Sequence, residues 1–277
     1  MADLAPTVDL LHGAAMPRLG LGTWPLDDDE AARVVEQALG LGYRLVDTAE
    51  NYRNEVGVGR GLRASGVPRD QVFLTTKFNR EWHSVEGAAK AFEASAHRLG
   101  VDYLDLLLIH WPNPDQDRYV EAWQGLAALL EVGKVRAIGT SNFKPPQLER
   151  IITETGVVPD VNQIQLSPHA TRASSRDYAA THGIVVESWS PLGKGGDLLR
   201  EGPVTAAAER LGKTPGQVVL RWHIQHGLVA IPKTKTDSRL EENLAVFDFS
   251  LSEDEMAALD ALDQGESTVT DSDRFGH

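Results

Sequence analysis

The chain has 277 residues, no cysteine and a formal net charge of −13 at pH 7. This length suits one α/β domain, and no linker divides residues 1–277, so we expect a single domain. Because the net charge is strongly negative, we expect neither nucleic acid nor an anionic membrane as a partner. The absence of cysteine excludes disulfides and thiolate chemistry, and without a targeting or membrane-spanning signal we expect a cytoplasmic protein.

Eight short runs of β-branched and leucine-rich residues predict buried strands. They are residues 18–22, 43–46, 72–76, 103–109, 135–139, 161–165, 184–186 and 228–231. Eight amphipathic patterns predict helices at residues 30–39, 55–64, 85–99, 119–131, 145–155, 174–182, 203–211 and 238–246. Strands and helices alternate at a repeat of roughly 30 residues, which predicts a closed parallel (β/α)8 TIM barrel.

Three segments fall outside the eightfold repeat. Residues 8–17 hold apolar side chains around a predicted turn, so we expect a hairpin over the amino-terminal end of the barrel. Ser252 is followed by three acidic residues and an apolar stripe, which predicts an extra C-terminal helix. Residues 265–277 form a polar tail with no regular period, and this tail either lies over the open face or is disordered.

Polar residues follow the predicted strands. Asp47, Lys77 and His110 follow three successive strands, and Tyr52 lies in the loop after Asp47. Because the carboxyl ends of parallel strands meet at one opening, we expect these side chains to be neighbours. A buried ammonium lowers the pKa of an adjacent phenol, so Lys77 would act on Tyr52 while Asp47 keeps Lys77 charged. Each residue alone has an ordinary structural explanation, but together they predict a site that protonates a carbonyl oxygen oriented by His110.

These residues lie in segments that resemble the signatures of the aldo-keto reductases, which are NADPH-dependent carbonyl reductases built on a (β/α)8 barrel. The segments are GYRLVDTA at 42–49 with Tyr52, Asn54, Glu55 and Gly57 or Gly59, TTK at 75–77, LIHWP at 108–112, and GTSNF at 139–143 with NQ at 162–163. The resemblance runs from about residue 8 to residue 262. It implies Tyr52 as general acid, Lys77 lowering its pKa, Asp47 paired with Lys77, and His110 orienting the carbonyl.

The resemblance also implies NADPH in the barrel mouth. Trp189 offers a flat face for the nicotinamide ring, although a core tryptophan is the alternative. Tryptophan at this position and RWH at 221–223 resemble the bacterial 2,5-diketo-D-gluconic acid reductases. Lysines, hydroxyl groups and a helix amino terminus after the last strand predict a phosphate site rather than a solvated turn, and Arg239 there favours NADPH over NADH. The expected cofactor residues are Thr23, Trp24, Asp47, Ser141, Asn142, Gln163, Trp189, Ser190, Leu192, Lys233, Thr234, Arg239, Glu242 and Asn243.

The sequence has neither a dinucleotide-binding glycine motif after a strand nor a phosphate-binding loop motif. The histidines show no metal-binding spacing, so we expect no metal. Residues 193–196 form a glycine-rich loop that resembles the strap covering the cofactor pyrophosphate in the family.

Aromatic residues in the loops after the strands predict a pocket for a small or medium aldehyde, ketone or dicarbonyl. The expected pocket residues are Trp24, Tyr52, Phe78, Trp82, His110 and Trp111. The short tail suggests an open pocket that accepts several substrates. Arg53 stands where the family usually has glycine, and it either attracts an anionic substrate or points into solvent.

The leading interpretation is an NADPH-dependent carbonyl reductase. A Schiff-base lyase that uses Lys77 is an alternative, because a buried lysine beside an acid is also how such lysines are activated. A third hypothesis is an NADPH-binding redox-sensing module with little turnover. No exposed heptad or long apolar edge is present, so we expect a monomer.

Overall fold

The fold was analysed in a computed structural model that describes residues 4–276. Residues 1–3, which belong to the segment where no targeting signal was expected, and His277 at the end of the predicted polar tail lie outside this range. The chain begins with an antiparallel hairpin of β1 (Thr7–Asp9) and β2 (Ala15–Pro17). The predicted N-terminal hairpin is therefore confirmed.

Eight parallel strands follow in sequential order. They are β3 (Leu21–Gly22), β4 (Leu45–Asp47), β5 (Phe73–Phe78), β6 (Leu104–Ile109), β7 (Val135–Ser141), β8 (Val161–Gln165), β9 (Val185–Trp189) and β10 (Val229–Ala230). Backbone pairing of Leu19 with Ala230 joins the first of these strands to the last. The sheet is therefore a closed barrel, as the alternation of elements predicted.

Helices lie around the outside of the barrel. Within residues 4–276 they are α1 (Asp28–Leu41), α2 (Glu55–Ala64), α3 (Val85–Leu99), α4 (Tyr119–Glu131), α5 (Pro145–Thr155), α6 (Ala173–His182), α7 (Gly202–Leu211), α8 (Pro215–Gln225), α9 (Asp237–Leu244) and α10 (Glu253–Asp260). The predicted C-terminal helix is α10, and it begins with the expected reciprocal cap between Ser252 and Glu255. None of the helices in this part of the chain is long and apolar enough to cross a membrane.

One barrel helix was missed by the sequence analysis. Two helices lie between β9 and β10, and it is α8 whose Leu220 packs with Ala230 of the barrel. The predicted helix at 203–211 is α7, an addition to the eightfold repeat. Pro215 and Gly216 form a pair that is typical of turns, so the start of this helix is hard to recognise in the sequence. Proline is in fact favoured in the first helical turn, and the Thr214 side chain caps this helix by accepting from the Gln217 amide.

The strands alternate between two apolar layers. Side chains such as Leu45, Leu108 and Val161 fill the barrel interior, where Leu10 and Met16 of the hairpin region close the floor. The intervening residues face the helices in a larger cluster. This alternation decides which strand-end side chains reach the mouth of the barrel.

Candidate active site

Groups from the end of β4 and from the loop that follows it surround Lys77 at the mouth of the barrel. The Lys77 side chain is fully buried on β5. Its Nζ donates to both carboxylate oxygens of Asp47, at 2.7 and 2.9 Å, and to the Thr48 carbonyl oxygen at 2.8 Å. The same Nζ lies 3.4 Å from the Tyr52 hydroxyl oxygen. Four oxygen atoms thus surround the three N–H groups of the ammonium, and the Tyr52 hydroxyl is the most distant of them.

Hydrogen bonds of the Asn54 side chain fix the loop that carries Tyr52. Tyr52 ends a short 3-10 turn, Glu50–Tyr52, between β4 and α2. The Asn54 amide donates to the carbonyl oxygens of Thr23 and Leu26, and its oxygen accepts from the Thr48 hydroxyl. A buried polar network therefore holds the loop whose partly buried turn carries the phenol.

The ionisation of these groups follows from burial and from one positive charge. Burial raises the pKa of Tyr52, and the Lys77 ammonium opposes that rise. Lys77 thus acts in the predicted direction, but the net pKa shift of Tyr52 is upward because loss of water around a phenolate outweighs one ammonium. Burial alone would lower the pKa of Lys77, yet the Asp47 carboxylate raises it above its usual value. At neutral pH the site therefore combines a protonated phenol with a charged ammonium.

His110 completes the tetrad on the neighbouring strand end. It directly follows β6, and its ring centroid lies 5.9 Å from that of Tyr52 with the rings close to perpendicular. Asp47 and Lys77 are buried, whereas Tyr52 is partly exposed. The phenol is therefore the member of the Asp47, Lys77 and Tyr52 set that reaches the opening, with an imidazole beside it.

The residues expected to contact a nicotinamide amide form one hydrogen-bonded group beside the tetrad. The Trp189 indole N–H donates to Asn142 Oδ1 at 2.9 Å, and Asn142 Nδ2 donates to the Ser141 hydroxyl at 3.0 Å. The Ser141 hydroxyl donates to the Gln163 carbonyl oxygen at 3.0 Å. Gln163 Nε2 donates to Asp47 Oδ2 at 2.8 Å. The structure thus brings these predicted residues together and joins them to Asp47.

A second predicted cluster lies at the start of α9. Lys233 and Arg239 are exposed, and neither takes part in an ion pair with another side chain of residues 4–276. Lys235, in contrast, is paired with Glu30 at 2.8 Å. The buried Thr234 hydroxyl accepts from the Thr236 amide, which shapes the turn into the helix. Two unpaired cations beside a helix amino terminus are suited to an anionic group.

The remaining predicted cofactor residues differ in their surroundings. Thr23 is buried, and its hydroxyl donates to the Asp47 carbonyl oxygen, whereas Trp24 is 58% exposed. Ser190 has a positive φ of 51° directly after Trp189, and Leu192 is partly buried. The other two lie on α9, where Glu242 is partly buried and Asn243 is buried.

Lys194 lies in the glycine-rich segment that follows β9. This segment is a short 3-10 turn, Gly193–Gly195, with Lys194 in the left-handed conformation. Its Nζ is 4.6 Å from the centroid of the Trp189 ring, a distance typical of a cation–π contact. The Lys194 ammonium therefore lies over one face of the Trp189 ring, the residue predicted to stack on the nicotinamide.

The predicted aromatic pocket is only partly assembled. Trp111 is buried beside His110, and the Trp82 indole N–H donates to Glu50 at 2.9 Å. Phe78 does not line the mouth, because it is fully buried in the cluster that faces the helices. Since Lys77 points into the barrel, the next residue on the strand has to point outwards. That alternation was the signal in the sequence that would have placed Phe78 correctly.

The polar tail lies across one side of the mouth. Lys144 Nζ donates to Asp271 at 2.7 Å and to Asp273 at 2.5 Å, and Arg172 pairs with Glu266 at 2.8 Å. Phe275 packs edge-on against Trp111, with ring centroids 4.9 Å apart. The sequence left open whether the tail lies over the open face or is disordered. In the structure the tail covers part of the opening.

Sequence reasoning missed Glu187 as a site residue. It lies on β9 two positions before Trp189, and Gln163 Nε2 donates to its carboxyl group at 2.6 Å. The available signal was a lone acidic residue within an otherwise apolar strand pattern. No group of three or more potential ligand side chains is placed to hold a metal ion within residues 4–276.

The backbone conformation at Arg53 accounts for the glycine that the family usually has at this position. Arg53 is exposed and has φ of 56° and ψ of 33°, the left-handed conformation that glycine adopts at least cost. A glycine preference at this position is therefore a property of the backbone turn.

Comparison with known proteins gives consistent matches along the chain. A family model described as "Aldo/keto reductase family" matches residues 18–264. A protein named methylglyoxal reductase DkgA from Yersinia pestis is 45% identical over 275 residues, which cover 99% of this chain and 98% of that protein. The protein of the same name from Escherichia coli strain K12 is 44% identical over 273 residues, with 98% of each chain covered.

Solved structures agree with these matches. The apo form of Gox0644 is 43% identical, with a TM-score of 0.94 and 99% of each chain covered. A mutant of Gox0644 solved in complex with NADPH has a TM-score of 0.93 at 43% identity, again with 99% of each chain covered. A Bombyx mori aldo-keto reductase in complex with NADP is 33% identical, with a TM-score of 0.89 and coverage of 95% of this chain and 94% of that one.

Proposed function

The chain belongs to the aldo/keto reductase family, and on this premise we propose that it reduces aldehydes, ketones or dicarbonyls to alcohols with NADPH and uses Tyr52 as the general acid. The observation that carries the proposal is the buried Lys77, which donates to Asp47 and points at the Tyr52 hydroxyl at the barrel mouth. This geometry provides a proton donor whose conjugate base is stabilised by an adjacent cation.

In the proposed reaction, bound NADPH supplies a hydride to the carbonyl carbon. Tyr52 gives its hydroxyl proton to the carbonyl oxygen as negative charge develops there. The Lys77 ammonium stabilises the phenolate that remains, and Asp47 keeps that ammonium charged. His110, 5.9 Å from Tyr52 between ring centroids, donates a hydrogen bond that orients the carbonyl oxygen.

The predicted cofactor residues have the chemistry that NADPH requires. Trp189 supplies a flat ring, and Ser141, Asn142 and Gln163 supply amide contacts within one hydrogen-bonded group. Lys233 and Arg239 supply positive charge at the start of α9 for the 2′-phosphate. These two exposed cations are the basis for proposing NADPH rather than NADH.

The substrate we propose is a small dicarbonyl such as methylglyoxal. Two of the relatives described above are named methylglyoxal reductase. The tail narrows the opening on the side of Trp111 through Phe275, which suits a small substrate. We further propose a monomeric, cytoplasmic enzyme, on the grounds of the acidic net charge, the lack of cysteine and the absence of an exposed heptad pattern.

The geometry of Lys77 argues against a Schiff-base lyase. Schiff-base formation needs an unprotonated amine, yet the Asp47 carboxylate raises the pKa of Lys77 and three oxygen atoms accept from its Nζ within 2.9 Å. Treatment with borohydride in the presence of methylglyoxal should leave Lys77 unmodified, as peptide mass analysis would show. A substrate adduct on Lys77 would favour the lyase instead.

Cofactor binding and turnover test the proposal directly. Titration with NADPH should quench tryptophan fluorescence much more strongly than the same concentrations of NADH. Methylglyoxal should then be reduced at the rate at which NADPH absorbance is lost, and tight binding without turnover would favour the redox-sensing module. No quenching by either cofactor would overturn the reductase proposal.

The cofactor preference should depend on Arg239. Replacing it by leucine (Arg239→Leu) should weaken NADPH binding about tenfold, because a charge-assisted contact to phosphate is lost, and should change NADH binding little. Arg200→Leu, which changes an exposed arginine on another turn, is the matched control. Equal weakening of both cofactors in the Arg239 variant would contradict the phosphate assignment.

A further inference from the structure

The buried carboxyl group of Glu187, which accepts from Gln163, has no role in the mechanism above. Glu187 lies on β9 and is fully buried. Its Oε2 accepts from Gln163 Nε2 at 2.6 Å, and its Oε1 has no hydrogen-bond partner among residues 4–276. A polar group in such a position normally has a structural or functional reason to be there.

Gln163 is held between two carboxyl groups. Its Nε2 donates to Asp47 Oδ2 at 2.8 Å and to Glu187 Oε2 at 2.6 Å, so both hydrogens of the amide nitrogen are used. The opposite orientation of the amide would place its carbonyl oxygen against the Asp47 carboxylate, which has no proton to donate. The amide nitrogen therefore faces the carboxyl groups, and Oε1 of Gln163 points away from them.

Two hydrogen-bond acceptors restrict the orientation of the Gln163 amide more than one acceptor does. Asp47 alone decides which end of the Gln163 amide faces it, but the amide could still turn about that single hydrogen bond. Glu187 provides the second point that fixes the amide plane. Backbone pairing of β8 with both Ser141 and Glu187 keeps Gln163 in register between the amide-binding residues and this carboxyl group.

Glu187 performs this task without adding a second negative charge. Burial and the nearby Asp47 carboxylate raise the pKa of Glu187 to about 8, so the group is protonated at neutral pH. A protonated carboxyl group still accepts a hydrogen bond. The single charge of Lys77 therefore remains balanced by Asp47 alone.

We propose that Glu187 is a positioning residue that, together with Asp47, holds the Gln163 amide so that Gln163 Oε1 accepts from the carboxamide N–H of the nicotinamide. This inference rests on the proposed function. It assigns no contact between Glu187 and the cofactor, because the effect passes through Gln163.

The test compares two cofactors that differ in whether the carboxamide N–H groups are present. NADP and its 3-acetylpyridine analogue are matched in shape, but the acetyl group has no N–H to donate. Fluorescence titration of the wild-type protein should show a preference for NADP of about tenfold, the size expected for one buried hydrogen bond. In Glu187→Met, which has no carboxyl acceptor at a similar length, the preference should fall to within about threefold.

Two further variants separate positioning from general disruption. Glu187→Gln retains an oxygen that can accept from Gln163 and should keep the preference for NADP. Ser188→Ala changes the adjacent buried residue, whose hydroxyl has no partner in the described chain, and should also keep it. A Glu187→Met protein that retains the full tenfold preference would overturn the inference.

The wild-type protein provides a test that needs no variant at Glu187 and no cofactor. In protein labelled with ¹⁵N-glutamine, both side-chain N–H protons of Gln163 should exchange slowly with solvent, since both are donated to buried acceptors. Rapid exchange of one of them would contradict the inference, even if Glu187→Met failed to fold. If neither cofactor bound the wild-type protein, the proposed function and the nicotinamide contact would both fail, while slow amide exchange would still show that Asp47 and Glu187 hold the Gln163 amide.

Discussion

Buried carboxyl groups occur at both ends of the barrel, but they bind different kinds of partner. At the floor, Asp160 accepts from the backbone amides of Ile138 and His12, each at 2.9 Å, and lies 2.9 Å from His12 Nδ1. At the mouth, Asp47 and Glu187 bind the side chains of Lys77 and Gln163 instead. The floor carboxylate thus joins main-chain segments, whereas the mouth carboxyl groups orient movable side chains.

This difference separates stability from chemistry. The two backbone amides that Asp160 binds belong to the hairpin region and to β7, so this carboxylate holds the hairpin and the strands together. The mouth carboxyl groups instead hold the Gln163 amide and Lys77, and Lys77 points at the partly exposed Tyr52 hydroxyl, at the end of the barrel where substrate and cofactor are proposed to bind. Changes at the mouth should therefore affect turnover, and changes at the floor should affect unfolding.

The largest expected effect is at Tyr52. Tyr52→Phe removes the proposed proton donor and should lower kcat for methylglyoxal by about 10²–10⁴-fold, while the Kd for NADPH stays within about twofold. Tyr178→Phe is the matched control, because the Tyr178 hydroxyl donates to Glu149 on the outer helices. Full activity of Tyr52→Phe would exclude this residue as the acid.

The next effect is at the floor. Asp160→Ala leaves the Ile138 and His12 amides without their acceptor and should lower the free energy of unfolding by about 2–4 kcal/mol, measured by urea denaturation. The kcat and KM of the folded variant should match those of the wild type. A fall in kcat at unchanged stability would contradict the division between floor and mouth.

A third prediction concerns stability as a function of pH. Burial raises the pKa of Glu187 to about 8, above the usual glutamate range, so native Glu187 holds its proton where the unfolded chain has lost it. Its contribution to the free energy of unfolding is complete below the unfolded pKa and falls as pH rises towards 8, by at most about 1.4 kcal/mol per pH unit. Glu187→Gln should therefore gain stability relative to the wild type as pH rises from about 5 to about 8. A constant difference across this range would show that Glu187 has an ordinary pKa.

The smallest effect concerns the tail beside the mouth. Lys144→Met removes the contacts to Asp271 and Asp273 and should raise the KM for methylglyoxal a few-fold, because Phe275 is less firmly held against Trp111. The free energy of unfolding should change by less than about 1 kcal/mol, since these ion pairs are exposed. Lys213→Met, which breaks another surface pair, should leave KM unchanged. Equal KM values for both variants would show that the tail does not shape the pocket.

Much of the site could be predicted because it lies at strand ends. Asp47, Lys77 and His110 follow runs whose composition marks them as buried strands, and a parallel barrel brings such ends together. The missed helix α8 and the wrongly placed Phe78 had different causes. A Pro-Gly pair obscured the start of the helix, and the inward direction of Lys77 was not applied to its neighbour on the strand.

The sequence by itself determined the repeat of strands and helices, the cap of α10, and the chemical types of the groups at the mouth. These features depend on local periodicity and on residues a few positions apart. Only the tertiary structure decided that Gln163 lies between Asp47 and Glu187, that the tail packs on Trp111, and that burial outweighs Lys77 in the pKa of Tyr52. Such contacts depend on distances of a few ångströms between strands far apart in sequence, and closure of the barrel sets those distances.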